Sequence, residues 1–231
     1  DQRRPQGQQG AALRRADLLQ KVSDVGSMQL AHQRSQSARV LRLDGESFPL
    51  GPVSDGLARN AALAILAARA VGADVLALRA ALVAWSPPVG RGSVHADGAQ
   101  TFYVDCYNSS PASLLDSARA FDRVSRVAAS PRLFLLGGMA ELGPTSAQLH
   151  RDCGAQLPLR SGDHVVVFGG ESAALLQGVA LPGVELSVAA SVEDAAARVA
   201  AHRGFVFLKG SRSFALERCL PDSLRSALSF H

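Results

Sequence analysis

Lysine is scarce in this chain: of its 24 basic residues only Lys21 and Lys209 are lysines. Neither belongs to the Gly-Lys-Ser/Thr of a Walker A loop, because Lys21 follows Gln20 and Lys209 follows Leu208. The chain therefore has no P-loop with which to cradle a nucleoside triphosphate. Its three cysteines, Cys106, Cys153 and Cys219, form neither a C-x-x-C pair nor an even framework. That excludes a disulfide scaffold and fits small core thiols in a reducing cytoplasm. Six scattered histidines give no H-x-x-x-H or H-E-x-x-H spacing, so no metal site is expected. No apolar run approaches the ~20 residues of a membrane span. Residues 1–37 are rich in Gln and Arg with no long apolar core, so no signal peptide is visible there.

What is present supports a folded protein. A hydrophobic content of 47% over 231 residues suffices for a core in one large domain or two modest ones. The net charge of +4 raises the question of nucleic acid. The basic residues are dispersed and form no stripe, so no nucleic-acid partner is expected. Arginine in place of lysine, among many alanines, fits the coding bias of a GC-rich genome. A chain that opens at Asp1 is expected to be a fragment or a processed product.

Organisation follows from patterning. Residues 1–37 are expected to be poorly ordered, apart from a helical stretch near 11–22. In ARVLRLDGESFPLG (38–51), alternating apolar positions flank Asp44-Gly45, a two-residue hairpin signal. NAALAILAARAVG predicts a helix opened by Asn60, ended by Gly72 and buried on most faces. ADVLALRAALVAW predicts a second, amphipathic helix, and WSPPVGRG (85–92) a domain boundary. Beyond it, TFYVD, RLFLLGG, DHVVVFGG, GVELSVA and GFVFLKG are short β-rich runs, several of them separated by helical patterns. That alternation predicts an α/β fold with a mostly parallel, doubly wound sheet. Such sheets bind ligands beyond the carboxyl ends of their strands. The polar or Gly-rich segments after Val104, Leu136, Phe168 and Leu208 fall at those ends.

Each candidate motif there has two readings. Ser110-Pro111 in FYVDCYNSSPASL is a good helix start, so the stretch is a capped turn, a binding site or both. Asp105 at the strand end either orients a ribose hydroxyl or bonds the turn. LLGGMAELGP and VFGGESAALLQG miss the G-x-G-x-x-G spacing and read alone as Gly-rich turns. Lys209 in FLKGSRS gathers cations and hydroxyls suited to a carboxylate or phosphate, or else marks a solvated strand end. His150, alone, reads as a helix-surface or packed histidine.

Five motifs in order resemble the Mur ligase family of peptidoglycan and cell-wall biosynthesis. They are NAALAILAARAVGA, PPVGR, VDCYNSSPASL, LLGGMAELG with His150 downstream, and LKGSRSFALE. The family carries an Asn-Ala-Leu-Ala-Ala helix, Pro-Gly-Arg, Asp-Asp-Ser-Tyr-Asn-Ala-Asn-Pro, Gly-Asp-Met-x-Glu-Leu-Gly and Lys-Gly-Ser-Arg. The resemblance is strongest to the branch that adds D-Ala-D-Ala to UDP-MurNAc-tripeptide. It implies that residues 38–86 end a central ATPase domain and 87–231 form a Rossmann-like C-terminal domain. The UDP-sugar domain and the P-loop would lie elsewhere, leaving this chain inactive alone and without catalytic residues of its own.

The implied reaction uses ATP and Mg²⁺ to convert a carboxylate into an acyl phosphate, which the dipeptide amine attacks. The implied nucleotide-binding residues are Asn60, Arg91, Asp105, Tyr107 and Asn108. Met139, Glu141, Leu142, His150, Lys209, Ser211 and Arg212 would lie around the dipeptide. A cytoplasmic monomer is expected. Gly56-Leu57, Val104, Ser110 and Gly138 stand where the family has His-Asn, Asp, Asn and Asp. Those departures motivate two alternatives: a non-catalytic Mur-ligase-like binding protein, and a Rossmann-like nucleotide enzyme outside cell-wall synthesis.

Overall fold

The computed structural model describes residues 29–32, 39–127 and 130–228. The expected helix at 11–22 lies outside them. The expected hairpin forms: β2 (Arg39–Leu43) and β3 (Glu46–Leu50) pair antiparallel. Asp44 and Gly45 both take positive φ, 51° and 77°, the backbone a tight two-residue turn needs. A strand the patterning missed, β1 (Gln29–His32), adds to β2 from within the segment expected to lack order.

This three-stranded sheet packs on α1 (Asp55–Ala70) through Leu41, Phe48, Ile65 and Leu66. The helix begins a full turn before Asn60, because Ser54 caps it by accepting from the Leu57 N–H. It ends where predicted, with Gly72 at φ 88° just beyond it. Its apolar composition does not bury every face, since only Ala58, Ala61, Ala62, Ile65 and Leu66 are inaccessible. The following helix, α2 (Val75–Ala84), buries no residue fully and leaves Leu76 and Val83 exposed.

The rest of the chain forms a six-stranded sheet of order β4-β5-β9-β6-β7-β8. Its strands are β4 (Ser93–Asp97), β5 (Gln100–Asp105), β6 (Arg132–Gly137), β7 (His164–Phe168), β8 (Glu185–Val188) and β9 (Gly204–Lys209). All pairs are parallel except β4–β5, a hairpin that the patterning missed. The central strands are apolar on both faces because both are covered. On one face α3 (Pro111–Val124), α4 (Ser146–Gln156) and α5 (Ala173–Gly178) bury Tyr103, Phe121, Phe134, Val165 and Phe207. On the other, α6 (Val192–Ala201) and the segment 216–224 cover Phe102, Val104, Leu133 and Val206.

Chain order steps outward from β5 through β6 and β7 to β8, then returns through α6 to place β9 between β5 and β6. That reversal puts the carboxyl ends of β5, β9 and β6 side by side, where open α/β sheets hold ligands. A last helix, α7 (Asp222–Ala227), packs near β4. Among the described residues no helix is long and apolar enough to cross a membrane.

Candidate functional site

The register of β5 and β9 sets Asp105 opposite Lys209. Their side chains form an ion pair at 3.0 Å, with Lys209 only 2% exposed. The Lys209 ammonium also donates to the Asn108 carbonyl at 2.5 Å, and the Ser117 hydroxyl donates to Asp105. Both ends of the pair are thereby satisfied, as a buried charge requires. Lys209, expected beside the dipeptide, lies beneath the loop that follows β5.

That loop is tied down along its length. The Tyr107 N–H donates to the Gly90 carbonyl and the Ser109 N–H to the Asn108 side chain. Ser110 and Ser113 then form a reciprocal capping box, with Pro111 opening α3. Capped turn and cavity wall are thus the same residues. The Arg91 guanidinium lies over the Tyr107 ring at 3.9 Å, a cation–π contact that fixes both.

The opposite wall is α1. The Asp116 carboxylate of α3 accepts from the N–H groups of Asp55 (3.0 Å) and Gly56 (2.8 Å). A negative group here suits both the unpaired amides and the dipole of the α1 N-terminus. Gly56 leaves room for it: a Cβ at 56 would lie 2.8 Å from the Asp116 carboxylate. Arg39 and Arg123 hold Asp55 at the same junction. Burial pushes the Asp55 pKa up, but the hydrogen bond and charge of Arg39, with Arg123 and Arg59, outweigh that and leave it below the ordinary value.

Between these walls is a cavity of about 280 Å³ lined by Asn60, Arg91, Asp105, Tyr107, Asn108 and Lys209. The five residues expected to meet a nucleotide, drawn from three separate stretches, therefore face one space. Tyr103, Asp116 and Ser117 also line it and were missed. The helical spacing of Ser113, Asp116 and Ser117 on α3 was the available signal, a polar stripe beginning at the cap. Cys106, next to the site, is no nucleophile: burial above all, aided by Glu217 and Asp105, pushes its thiol up to about 12.

The dipeptide set assembles differently. His150 is fully buried. Its Nε2 accepts from the Met139 N–H at 2.9 Å, while Nδ1 lies 2.8 Å from the Ser146 carbonyl. A proton on Nδ1 satisfies both contacts. The Ser211 hydroxyl accepts from the Ala140 N–H at 2.8 Å, and its own N–H donates to the Gly138 carbonyl. His150 and Ser211 therefore clamp the 138–142 loop, and Met139 is buried beneath it. All three, expected around the dipeptide, are buried and bonded within this loop region. Glu141, Leu142 and Arg212 remain accessible, with Arg212 paired to Glu217.

Phe214 closes this end of the sheet. Its ring rests on glycines: a Cβ at Gly138 would come within 2.9 Å of it, and one at Gly169 within 2.5 Å. The absence of a side chain at 138 is thus coupled to the presence of a ring at 214. Gly138→Asp is expected to cost about 1–3 kcal/mol through overpacking, and Phe214→Ala to recover part of that. Urea denaturation of the single and double variants checks it; additive effects would break the coupling.

A larger cleft, about 600 Å³, lies at the other end of β5 beside Gln100, Val199 and Leu220. Two of its arginines are paired, Arg218 with Glu193 and Arg225 with Asp222. None of the expected site residues lines it.

The family profile described as Mur ligase, glutamate ligase domain, matches residues 90–212. The UDP-N-acetylmuramoyl-tripeptide–D-alanyl-D-alanine ligase of Treponema pallidum is 34% identical over 173 residues, covering 71% of this chain and 36% of that protein. Among solved structures, MurF from Acinetobacter baumannii superposes with a TM-score of 0.67 at 21% identity, over 86% of this chain and 44% of that one. MurF from Thermotoga maritima, solved with ADP, gives 0.66 at 20%, over 87% and 46%. The chain thus spans less than half the length of each of these relatives. With more than half of its own length matched to the profile, it belongs to the Mur ligase family.

Proposed function

We propose that this chain is the nucleotide-closing and dipeptide-receiving portion of a cytoplasmic, monomeric ligase that adds D-Ala-D-Ala to UDP-MurNAc-tripeptide at the expense of ATP. The observation that carries the reading is the convergence of Asn60, Arg91, Asp105, Tyr107 and Asn108 on one cavity. Arg91, backed by Tyr107, supplies a cation for the phosphate side. Asp105, held by Lys209 and Ser117, supplies an acceptor for ribose hydroxyls. Asn60 offers an amide to the base from the wall formed by α1. The clamped 138–142 loop with Glu141, Leu142 and Arg212 receives the dipeptide.

ATP, when bound, supplies the phosphoryl group that activates a carboxylate. This chain's residues orient the nucleotide and exclude water from it. Among the described residues no group of three or more His, Cys, Asp or Glu side chains comes together.

The test is phosphate release by the longer protein carrying this chain. Release requiring both UDP-MurNAc-tripeptide and D-Ala-D-Ala is expected; its absence would sink the proposal. Phe214 seated on Gly138 favours the second reading, a binding protein that has lost turnover. Dipeptide binding without phosphate release would select it.

A further inference from the structure

We propose that Glu217 is a positioning residue for the dipeptide: it holds the Arg212 guanidinium so that the Nε/Nη2 edge receives the carboxylate of D-Ala-D-Ala; this rests on the dipeptide reading above. Arg212 follows Ser211, whose hydroxyl fastens Ala140 of the 138–142 loop. It also interacts electrostatically with Cys106 and Tyr107. Arg212 therefore stands where the loops after β5 and β6 meet. An unrestrained arginine there would spread over many rotamers, and ordering it would weaken binding. Glu217 removes that freedom, because its Oε1 accepts from Nη1 of Arg212.

The pair is built unequally. The Arg212 side chain is 46% exposed and that of Glu217 only 11%. The acid is thus the fixed partner and the arginine the presented one. Ala215, at φ 47° and ψ 43°, takes the left-handed conformation that is unfavourable for alanine. It turns the chain back so that residue 217 meets residue 212. Leu216 and Cys219, both buried, anchor that turn in the core. With Nη1 engaged by Glu217, Nε and Nη2 make no hydrogen bond among the described residues. The same edge of Arg132 shows what it suits: there Nε and Nη2 donate to the two oxygens of the Asp163 carboxylate. A free carboxylate is therefore the ligand group that matches the open edge of Arg212.

Calorimetric titration with D-Ala-D-Ala, its C-terminal amide and ADP tests the assignment on this chain and on Glu217→Gln, Glu217→Asp and Arg212→Ala. Glutamine keeps the acceptor oxygen and loses the charge; aspartate keeps the charge and loses the reach. The wild-type chain is expected to prefer the dipeptide over its amide, and Glu217→Gln to keep that preference. Glu217→Asp is expected to weaken D-Ala-D-Ala about tenfold, the effect of misplacing a charge-assisted hydrogen bond. Its affinities for the amide and for ADP should not change. Added to Arg212→Ala, Glu217→Asp should have no further effect. The reverse order, with aspartate like wild type and glutamine altered, would show that Glu217 acts only through its charge and overturn the positioning role. So would unchanged dipeptide affinity in both Glu217 variants, or an undiminished effect of Glu217→Asp beside Arg212→Ala. No D-Ala-D-Ala binding by the wild-type chain at millimolar concentration would overturn the dipeptide reading as well.

Discussion

Replacing Arg132 with alanine is expected to cost about 3–5 kcal/mol of folding stability at neutral pH. The guanidinium is 1% exposed at the start of β6. It donates to Asp163 from Nε (2.8 Å) and from Nη2, to Asp122 (2.9 Å) and Ser125 (3.3 Å) from Nη1, and to the Pro158 carbonyl (3.0 Å). All five of its donors are thus used, which a lysine could not reproduce. Its plane also lies near the rings of Phe121 and Phe134. Truncation leaves the buried carboxylate of Asp163 without its cation and deprives Asp122 of one of three.

The loss should depend on pH. Burial raises the pKa of Asp122, but the hydrogen bonds of Arg160, Arg126 and Arg132 override that and hold it below the usual 3.8. A depressed carboxylate contributes stability that is complete above its unfolded pKa and disappears as pH falls through the folded one. Removing Arg132 removes part of that contribution, so the deficit of the variant should shrink below about pH 4. Urea unfolding of both proteins across that range checks it. A deficit under about 1 kcal/mol at neutral pH would mean that the network adds little net stability.

That network was not legible in the sequence, and the reason is physical. Asp122, Arg132 and Asp163 lie on a helix, a strand and a loop, and nothing in local periodicity says that one guanidinium will meet both carboxylates. The parallel sheet was legible, because the runs LFLL and VVV carry no polar face and can only be central strands. β4 was not, since SVHAD reads as polar and becomes a strand only by pairing with β5. At the site, Asp105 and Lys209 could each be placed at a strand end, but only the interposed β9 makes them neighbours. His150 shows the opposite limit. Its position on a helix was clear, while its burial depends on the loop that folds back over it.

Lys209→Met is expected to damage the site and the fold together. Methionine fills similar space but removes the charge, leaving Asp105 with only the Ser117 hydroxyl and the Asn108 carbonyl without its donor. Breaking a buried pair from one side costs about 3–5 kcal/mol; Asp105 borders the cavity, so water offsets some of this and the lower end is expected. Adding Asp105→Asn removes the stranded charge and should restore most of the stability. It should not restore the cavity, because the Asn108 carbonyl would still lack the ammonium that draws the 106–110 loop onto β9. ADP affinity, measured by calorimetry, should fall about tenfold or more in both variants, the effect of losing a charge-assisted hydrogen bond. Recovery of stability with ADP binding weaker than in Asp105→Asn alone would identify Lys209 as the residue that shapes the loop. ADP binding equal to that of Asp105→Asn alone would show that it only neutralises Asp105.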